Sequence, residues 1–548
     1  MRLATCAIAL LAAVVAAAGG ARAQIADASL SSVAALYRQG VQADGRPLVG
    51  QREAGLDVQG AAAACAACHR RSGLGASEGR TTVPPITGSF LFSPRSSYLQ
   101  DFGEASLTNR RAHREGYDEA SLARAIRDGV DPSGRTLSYL MPRYALGDAD
   151  IHALATYLSG LSAGATPGVT EETLHFATVI TPDADPVARA AMLEVMRKFF
   201  DDKNAFIRGG SRRLQSNREI HFRVQRRWQL HVWELQGAES TWEAQLRAKS
   251  AAEPVFAIVS GLGGRQWAPV HRFCEREAIP CLFPNVDAPV VAERDFYSLY
   301  YSRGIHLETD LMAARLGEVG PGSRVVQVFR RGDIGAEAAA ELAATIGARG
   351  ASVVARPLGP DAGAADLQSA LETAQPGDRL VLWLRPADLK ALPAPRPVEA
   401  YVSGLMAGMD EAPLPRAWRG MTHMTYLVDL PERRRAGMSY ARGWFKIGNI
   451  PVTAERVQTD TYIACGILAE ALADMLDNFR RDYLVERIET MLSHRLVTGF
   501  YPRLSLAPGQ RFASKGGYFV RLPQDGSSTP VAEGDWIVPE QSSKPAVR

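Results

Sequence analysis

The chain has 548 residues, 46% hydrophobic and 22% charged, ordinary globular usage that excludes wholesale disorder and collagen-like or coiled-coil architectures. Lys plus Arg number 62 against 59 Asp plus Glu, a formal charge of +3, which excludes the broad basic field of a nucleic-acid binder. Six cysteines are too few for a disulfide-stapled miniprotein, and the length calls for about three or four folded units.

Residues 1–23 read as an export signal. Arg2 gives a short positive start, Ala4 to Ala18 is almost wholly apolar, and Ala21-Arg22-Ala23 is a small-x-small cleavage site. The apolar run falls short of the roughly 20 residues of a spanning helix, and no later stretch reaches about 18 apolar residues without charge. The expected mature chain starts at Gln24, carries no transmembrane segment and is periplasmic, in an oxidising compartment where disulfides persist.

Residues 24–161 are rich in small residues and Arg, and they carry Cys65-Ala66-Ala67-Cys68-His69. Two thiols one helical turn apart can add to both vinyl groups of one porphyrin, and the adjacent imidazole then reaches the iron from the same side. A redox pair would be expected within a thioredoxin-like βαβ unit, and a zinc site would need a second ligand pair, yet the next cysteine is Cys274. Covalent attachment of one haem c through Cys65 and Cys68, with His69 as axial ligand, is the expectation.

Beyond it the pattern gives a helix over Glu119–Arg127, a turn from Gly129 to Gly134, and the loop Leu140-Met141-Pro142-Arg143-Tyr144. A closing amphipathic helix follows, with Ile151, Leu154, Leu158 and Leu161 on one face and Asp148 as its expected N-cap. A methionine in a proline-bounded loop before a terminal helix suits a thioether on the distal haem face, so Met141 is expected as sixth ligand. Bis-His ligation through His113 and a core-filling role for Met141 are the alternatives. With Val83-Pro84-Pro85-Ile86, these motifs make residues 24–161 resemble a monohaem c-type cytochrome domain. The resemblance implies a small all-α fold with its first helix, around Leu30–Arg38, packed on the last. It also implies electron transfer with His69 and Met141 as axial ligands. The long Arg-rich stretch Pro94–Gly116 departs from it and reads as an insertion.

Residues 162–173 read as a linker, after which short β-rich runs alternate with helical patterns: Phe176–Ile180 then Pro186–Asp201, Trp228–Leu235 then Thr241–Ser250, Val255–Val259 then Trp267–Glu277. Arg324–Phe329, Ser352–Pro357 and Arg379–Leu384 continue the series, implying βαβ units and parallel sheets covered by helices. Residues 174–522 resemble the periplasmic binding proteins of the branched-chain amino acid type, which implies a two-lobed α/β fold (type I) closing on a small molecule by hinge motion. No GxGxxG, Walker, GxSxG or HExxH motif appears, so no catalytic site of its own is expected. Ligands of open α/β sheets lie beyond the carboxyl ends of strands. That singles out Ser260, Gly261 and Gly263 after Val255–Val259, and Tyr301, Ser302 and Arg303 after the following strands.

Cys274 and Cys281 flank a helix-to-strand turn at Pro280, and in an exported chain a disulfide is the expected pairing, with zinc or free thiols as alternatives. Cys465, among Ile463, Leu468 and Leu472, reads as a core thiol, and residues 523–548 as a flexible tail. The functional expectation is a periplasmic electron carrier whose binding module takes a small molecule or docks a redox partner such as a periplasmic dehydrogenase. The alternative is a solute receptor of an ABC-type transporter with a redox-sensing haem.

Overall fold

The computed structural model describes residues 31–52, 55–78, 81–94, 114–213, 226–292, 294–317, 324–494, 497 and 499–539. The expected export signal, His113 and residues 95–113 of the Arg-rich stretch lie outside the described residues. The chain divides into two compact units, Met1–Thr166 and Pro167–Arg548.

In the first unit a helix over residues 31–39 (α1) precedes β1 (Val49–Gln51) and β2 (Val58–Gln59). Then come α2 (Cys65–His69), the hairpin β3 (Ala76–Glu78) and β4 (Thr81–Val83), α3 (Gly88–Leu91), α4 (Glu119–Arg127), β5 (Arg143–Tyr144) and α5 (Asp148–Gly160). Tyr37 of α1 packs on Tyr157 of α5 with ring centroids 5.2 Å apart, and Leu36, Leu122, Ile126, Ile151, Leu154 and Leu158 fill the core between the helices. α4 begins where Asp118 accepts from the Ser121 backbone N–H while the Asp118 N–H donates to Ser121 Oγ, a reciprocal cap. Two expectations are corrected here. The unit is not purely helical, because β2, β1 and β5 form a three-stranded antiparallel sheet. Asp148 is not a cap: it lies inside α5 and accepts from Arg127 Nη2 at 2.7 Å, while the Gly147 N–H donates to Asp150.

The second unit holds two sheets. β6 (Thr173–Ile180), β7 (Arg227–Glu234), β8 (Ala257–Val259), β9 (Cys281–Leu282) and β10 (Ser298–Leu299) form a parallel sheet in the order β10-β9-β8-β6-β7. α6 (Pro186–Arg213), α7 (Trp242–Ala252) and α8 (Ala268–Arg276) connect them. The chain then crosses through α9 (Ile305–Gly317) to β11 (Arg324–Arg330), α10 (Ile334–Gly347), β12 (Ser352–Leu358), α11 (Ala364–Leu371), β13 (Arg379–Trp383), β14 (Glu399–Val402) and β15 (Thr422–Tyr426). These five strands are parallel, each returned by a helix or a covering segment, with β11, β13, β14 and β15 largely buried and β12 at the exposed edge.

After α12 (Ser439–Ile447), α13 (Glu455–Met475) and α14 (Arg481–His494) return to the first lobe, where Thr461 meets Ser260 and Tyr297 meets Asp482. The chain crosses a third time to β16 (Tyr518–Arg521) and β17 (Val531–Ala532), which close the second sheet antiparallel. Residues 523–539 are therefore no loose tail. β17 pairs with β16, and Glu533 accepts from His423 Nδ1 at 2.6 Å, holding the segment on the sheet.

Candidate functional site: a haem cradle and an interlobe cavity

α2 is a single turn that places Cys65, Cys68 and His69 side by side. It ends because Arg70 turns left-handed at φ 66° and the chain doubles back. The Gly75 N–H donates to the His69 carbonyl at 3.1 Å, and the Ile86 N–H to the Gly73 carbonyl at 2.8 Å, folding the β3–β4 hairpin under the ligand. Gly75 has to be glycine: φ is 79°, and a Cβ there would stand 2.2 Å from the Val83 carbonyl oxygen. This return brings the Pro84 carbonyl to 2.9 Å from His69 Nδ1. Since a carbonyl only accepts, Nδ1 carries the proton and Nε2 presents its lone pair. Burial pushes the His69 pKa down and the Cys65 thiol up to about 12, so both groups are neutral.

Met141 sits half-buried on the loop before β5. Its carbonyl accepts from Arg143 Nη1 at 2.5 Å, and its N–H donates to the Ser138 carbonyl at 3.0 Å. β5 pairs with β1, Gly50 lying opposite Tyr144, and the Tyr144 hydroxyl donates to the Ala63 carbonyl at 2.8 Å. The segment bearing Met141 is thus tied to the residues immediately before Cys65. Val49 of β1, Leu56 on the β1–β2 loop and Tyr139 and Leu140 on the Met141 loop are 40% to 69% exposed, a concentration of bare apolar surface. Two thiols, an imidazole with a free Nε2 and surrounding apolar side chains fit a covalently held haem: Cys65 and Cys68 would hold the porphyrin and His69 the iron.

In the second unit the predicted cleft residues do not all come together. Tyr301 and Ser302 line a cavity of about 20 Å³ between the lobes, enough for about one water, with Asn285, Val286, Leu405 and Arg456 among its other walls. Ser260 is fully buried beneath it, donating to Thr461 Oγ1 and accepting from Asn285 Nδ2. Gly261 and Gly263 serve packing: a Cβ at either would stand within 2.8 Å of Trp267, which is itself core. Arg303 pairs with Asp310 and stays out of the cavity.

Sequence reasoning missed the polar groups that dominate this region. Arg385 forks onto Asp333 with contacts of 2.9 and 2.8 Å and reaches Asp287 at 3.9 Å. Arg456 Nη2 donates to Asp287 at 3.1 Å, and Arg265 Nη1 crosses to the Gly332 carbonyl at 3.0 Å. Burial opposes the charge on Arg456, but Asp287, Tyr501 and Asp460 together outweigh it and hold the guanidinium above its usual range. Asp460 is buried in the middle of α13, and burial pushes its pKa up to about 7 against the pull of Arg456 and Tyr501. One signal could have found it. Gln458-Thr459-Asp460-Thr461 is a polar run in an otherwise apolar helix, and all four residues are buried.

The expected Cys274–Cys281 disulfide is absent: both are free, buried thiols, as is Cys465. Cys274 faces the sheet from α8 within hydrogen-bonding reach of Cys281, in a core of Trp233, Val270 and Phe273. Burial and then the neighbouring Cys281 keep its thiol protonated, so the pair packs as two small apolar side chains.

Residues 58–162 match the family model of cytochrome c, so this segment is a cytochrome c domain. No curated protein matches the chain. Among solved structures it is similar to a fatty acid ABC transporter substrate-binding protein from Thermomonospora curvata, with 14% identity and a TM-score of 0.48, covering 68% of this chain and 94% of that one. A branched chain amino acid ABC transporter from Thermus thermophilus with bound valine has 10% identity and a TM-score of 0.48, covering 68% and 97%. An ABC transporter substrate-binding protein from Aeropyrum pernix has 14% identity and a TM-score of 0.48, again covering 68% and 97%. The strand and helix alternation of the sequence is borne out as two α/β lobes joined by three crossings, one sheet wholly parallel and the other closed by two antiparallel strands. Among the described residues no helix is long and apolar enough to cross a membrane.

Proposed function

We propose that this protein is an exported electron carrier with one haem c, bound covalently through Cys65 and Cys68 and ligated by His69 and Met141. Its two-lobed module takes up a small molecule and brings the haem to a redox partner, a periplasmic dehydrogenase being the class of donor that suits a carrier without its own catalytic site. The observation that carries this reading is the His69 ring fixed by Pro84 at Nδ1, with Nε2 presented beside two thiols inside a cytochrome c domain. Bound haem supplies the one-electron Fe(III)/Fe(II) couple. The chain's own residues do the rest. Pro84 fixes the imidazole tautomer, Arg143 and Tyr144 hold the Met141 loop to the attachment segment, and the β3–β4 return closes the ligand side. A thioether in the sixth position leaves no open place for peroxide or oxygen, which favours carrier over haem enzyme.

Denaturing electrophoresis with haem staining tests the attachment. The full-length protein made with a haem-attachment system should stain, and the Cys65→Ala/Cys68→Ala variant should not. Covalent haem retained by the double variant would sink the assignment. The two-lobed fold favours one second reading, a transport receptor whose haem senses redox state. Solute affinity that changes with the oxidation state of the haem would support it over the carrier.

A further inference from the structure

Asp460 is 1% exposed, lines the cavity between the lobes, and its Oδ1 has no hydrogen-bond partner among the described residues. An unpaired buried carboxylate oxygen is costly, and it is retained where something completes it. Of the cavity's walls only Asp460 and Arg456 are charged, and Arg456 pairs with Asp287, which Arg385 also reaches from its fork on Asp333. Both guanidiniums are engaged by these acids and by Tyr501, so neither is held ready for a ligand carboxylate. Val286, Leu405 and Leu427 supply apolar walls.

We propose that the cleft takes a small primary amine lacking a carboxylate, its ammonium on Asp460 Oδ1 and its hydrocarbon body against Val286, Leu405 and Leu427. The inference rests on the reading that the second unit binds a small molecule, and it names the class. The cavity of about 20 Å³ holds little more than the ammonium, so the lobes part to admit the body. Asp460 faces Arg456 on its own helix, Tyr301 and Tyr501 from neighbouring segments, and Asp287 beyond Arg456. Of these, the carboxyl of Asp460 titrates near neutrality, so amine binding strengthens as pH rises through about 7.

Calorimetric titration of the full-length haem-loaded protein with butylamine, butanol, butyrate and valine tests the proposal. Butylamine should bind one to one and lose about tenfold in affinity between pH 8 and pH 6. Butanol, butyrate and valine should bind at least about tenfold more weakly, and Asp460→Asn should abolish the preference for butylamine. If Asp460→Asn does not fold, the pH dependence of the wild type and the loss of butylamine binding in Leu405→Trp, which fills the wall, decide in its place. Butyrate or valine binding as tightly as butylamine, or butylamine binding that ignores pH or survives Asp460→Asn, overturns the amine assignment. So does the absence of binding by all four probes. A thermal-shift screen of mixed metabolites then separates the two failures: a hit leaves the small-molecule reading standing without the amine, and a blank screen removes both.

Discussion

Met141 owes its position to neighbours that have no chemistry of their own. Arg143 reaches back to the Met141 carbonyl, and its guanidinium lies so close over Gly129 that a Cβ there would stand 2.0 Å from it. Gly129 also carries φ 71°, so a side chain costs both strain and a displaced arginine. Gly134 offers the control: its φ is 78°, but nothing lies within 4 Å of its would-be Cβ. Gly129→Ala should therefore destabilise the first unit by about 2–4 kcal/mol and Gly134→Ala by only about 1 kcal/mol, read by denaturant unfolding. Equal losses would show that backbone strain alone acts and that Arg143 has no seat to protect.

At the scale of elements, Glu308 ties α9 to the second sheet. It is fully buried, and its carboxylate accepts from Ser403 Oγ, the Leu405 N–H at 2.9 Å and Thr425 Oγ1 at 2.8 Å. Burial nevertheless wins over these three bonds and pushes its pKa from 4.5 up to about 7. A carboxyl raised on folding binds its proton more tightly in the native state, so its contribution is full below about pH 4.5 and declines as pH rises to about 7. Asp460 adds a slope of the same sign, from 3.8 to about 7. The second unit should lose stability across that window. Glu308→Gln removes one slope, so the variant should gain on the wild type by roughly 2–3 kcal/mol between pH 5 and pH 8. Parallel pH profiles for the two proteins would contradict the burial argument.

Legibility also divides by element. The Cys65–His69 turn was legible because the CxxCH pattern fixes three residue types within five consecutive positions. Strands such as β11 and β6 were readable because buried parallel strands are rich in β-branched and other apolar residues over short runs. What escaped depends on contacts between distant positions. Pro84 acts on His69 across 15 residues, Tyr144 on Ala63 across 81, and Asp287 meets Arg456 across 169. β17 escaped because two residues in a Pro- and Ser-rich segment carry no periodicity; only pairing with β16 makes them a strand. The cysteine pair was misjudged because spacing gives proximity, whereas the bond also depends on how the two side chains meet in the core.

The whole molecule joins a cytochrome c domain to a two-lobed α/β unit, and His/Met ligation is the central proposal for it. The most direct measurement is the near-infrared absorption of the ferric full-length protein, alongside Met141→Ala. The wild type should show the weak sulfur-to-iron charge-transfer band. The variant should lose it, drop in reduction potential, since a thioether favours Fe(II), and bind cyanide that the wild type resists. A wild type without the band, whose spectrum Met141→Ala leaves unchanged, would contradict the claim and reduce Met141 to a packing residue.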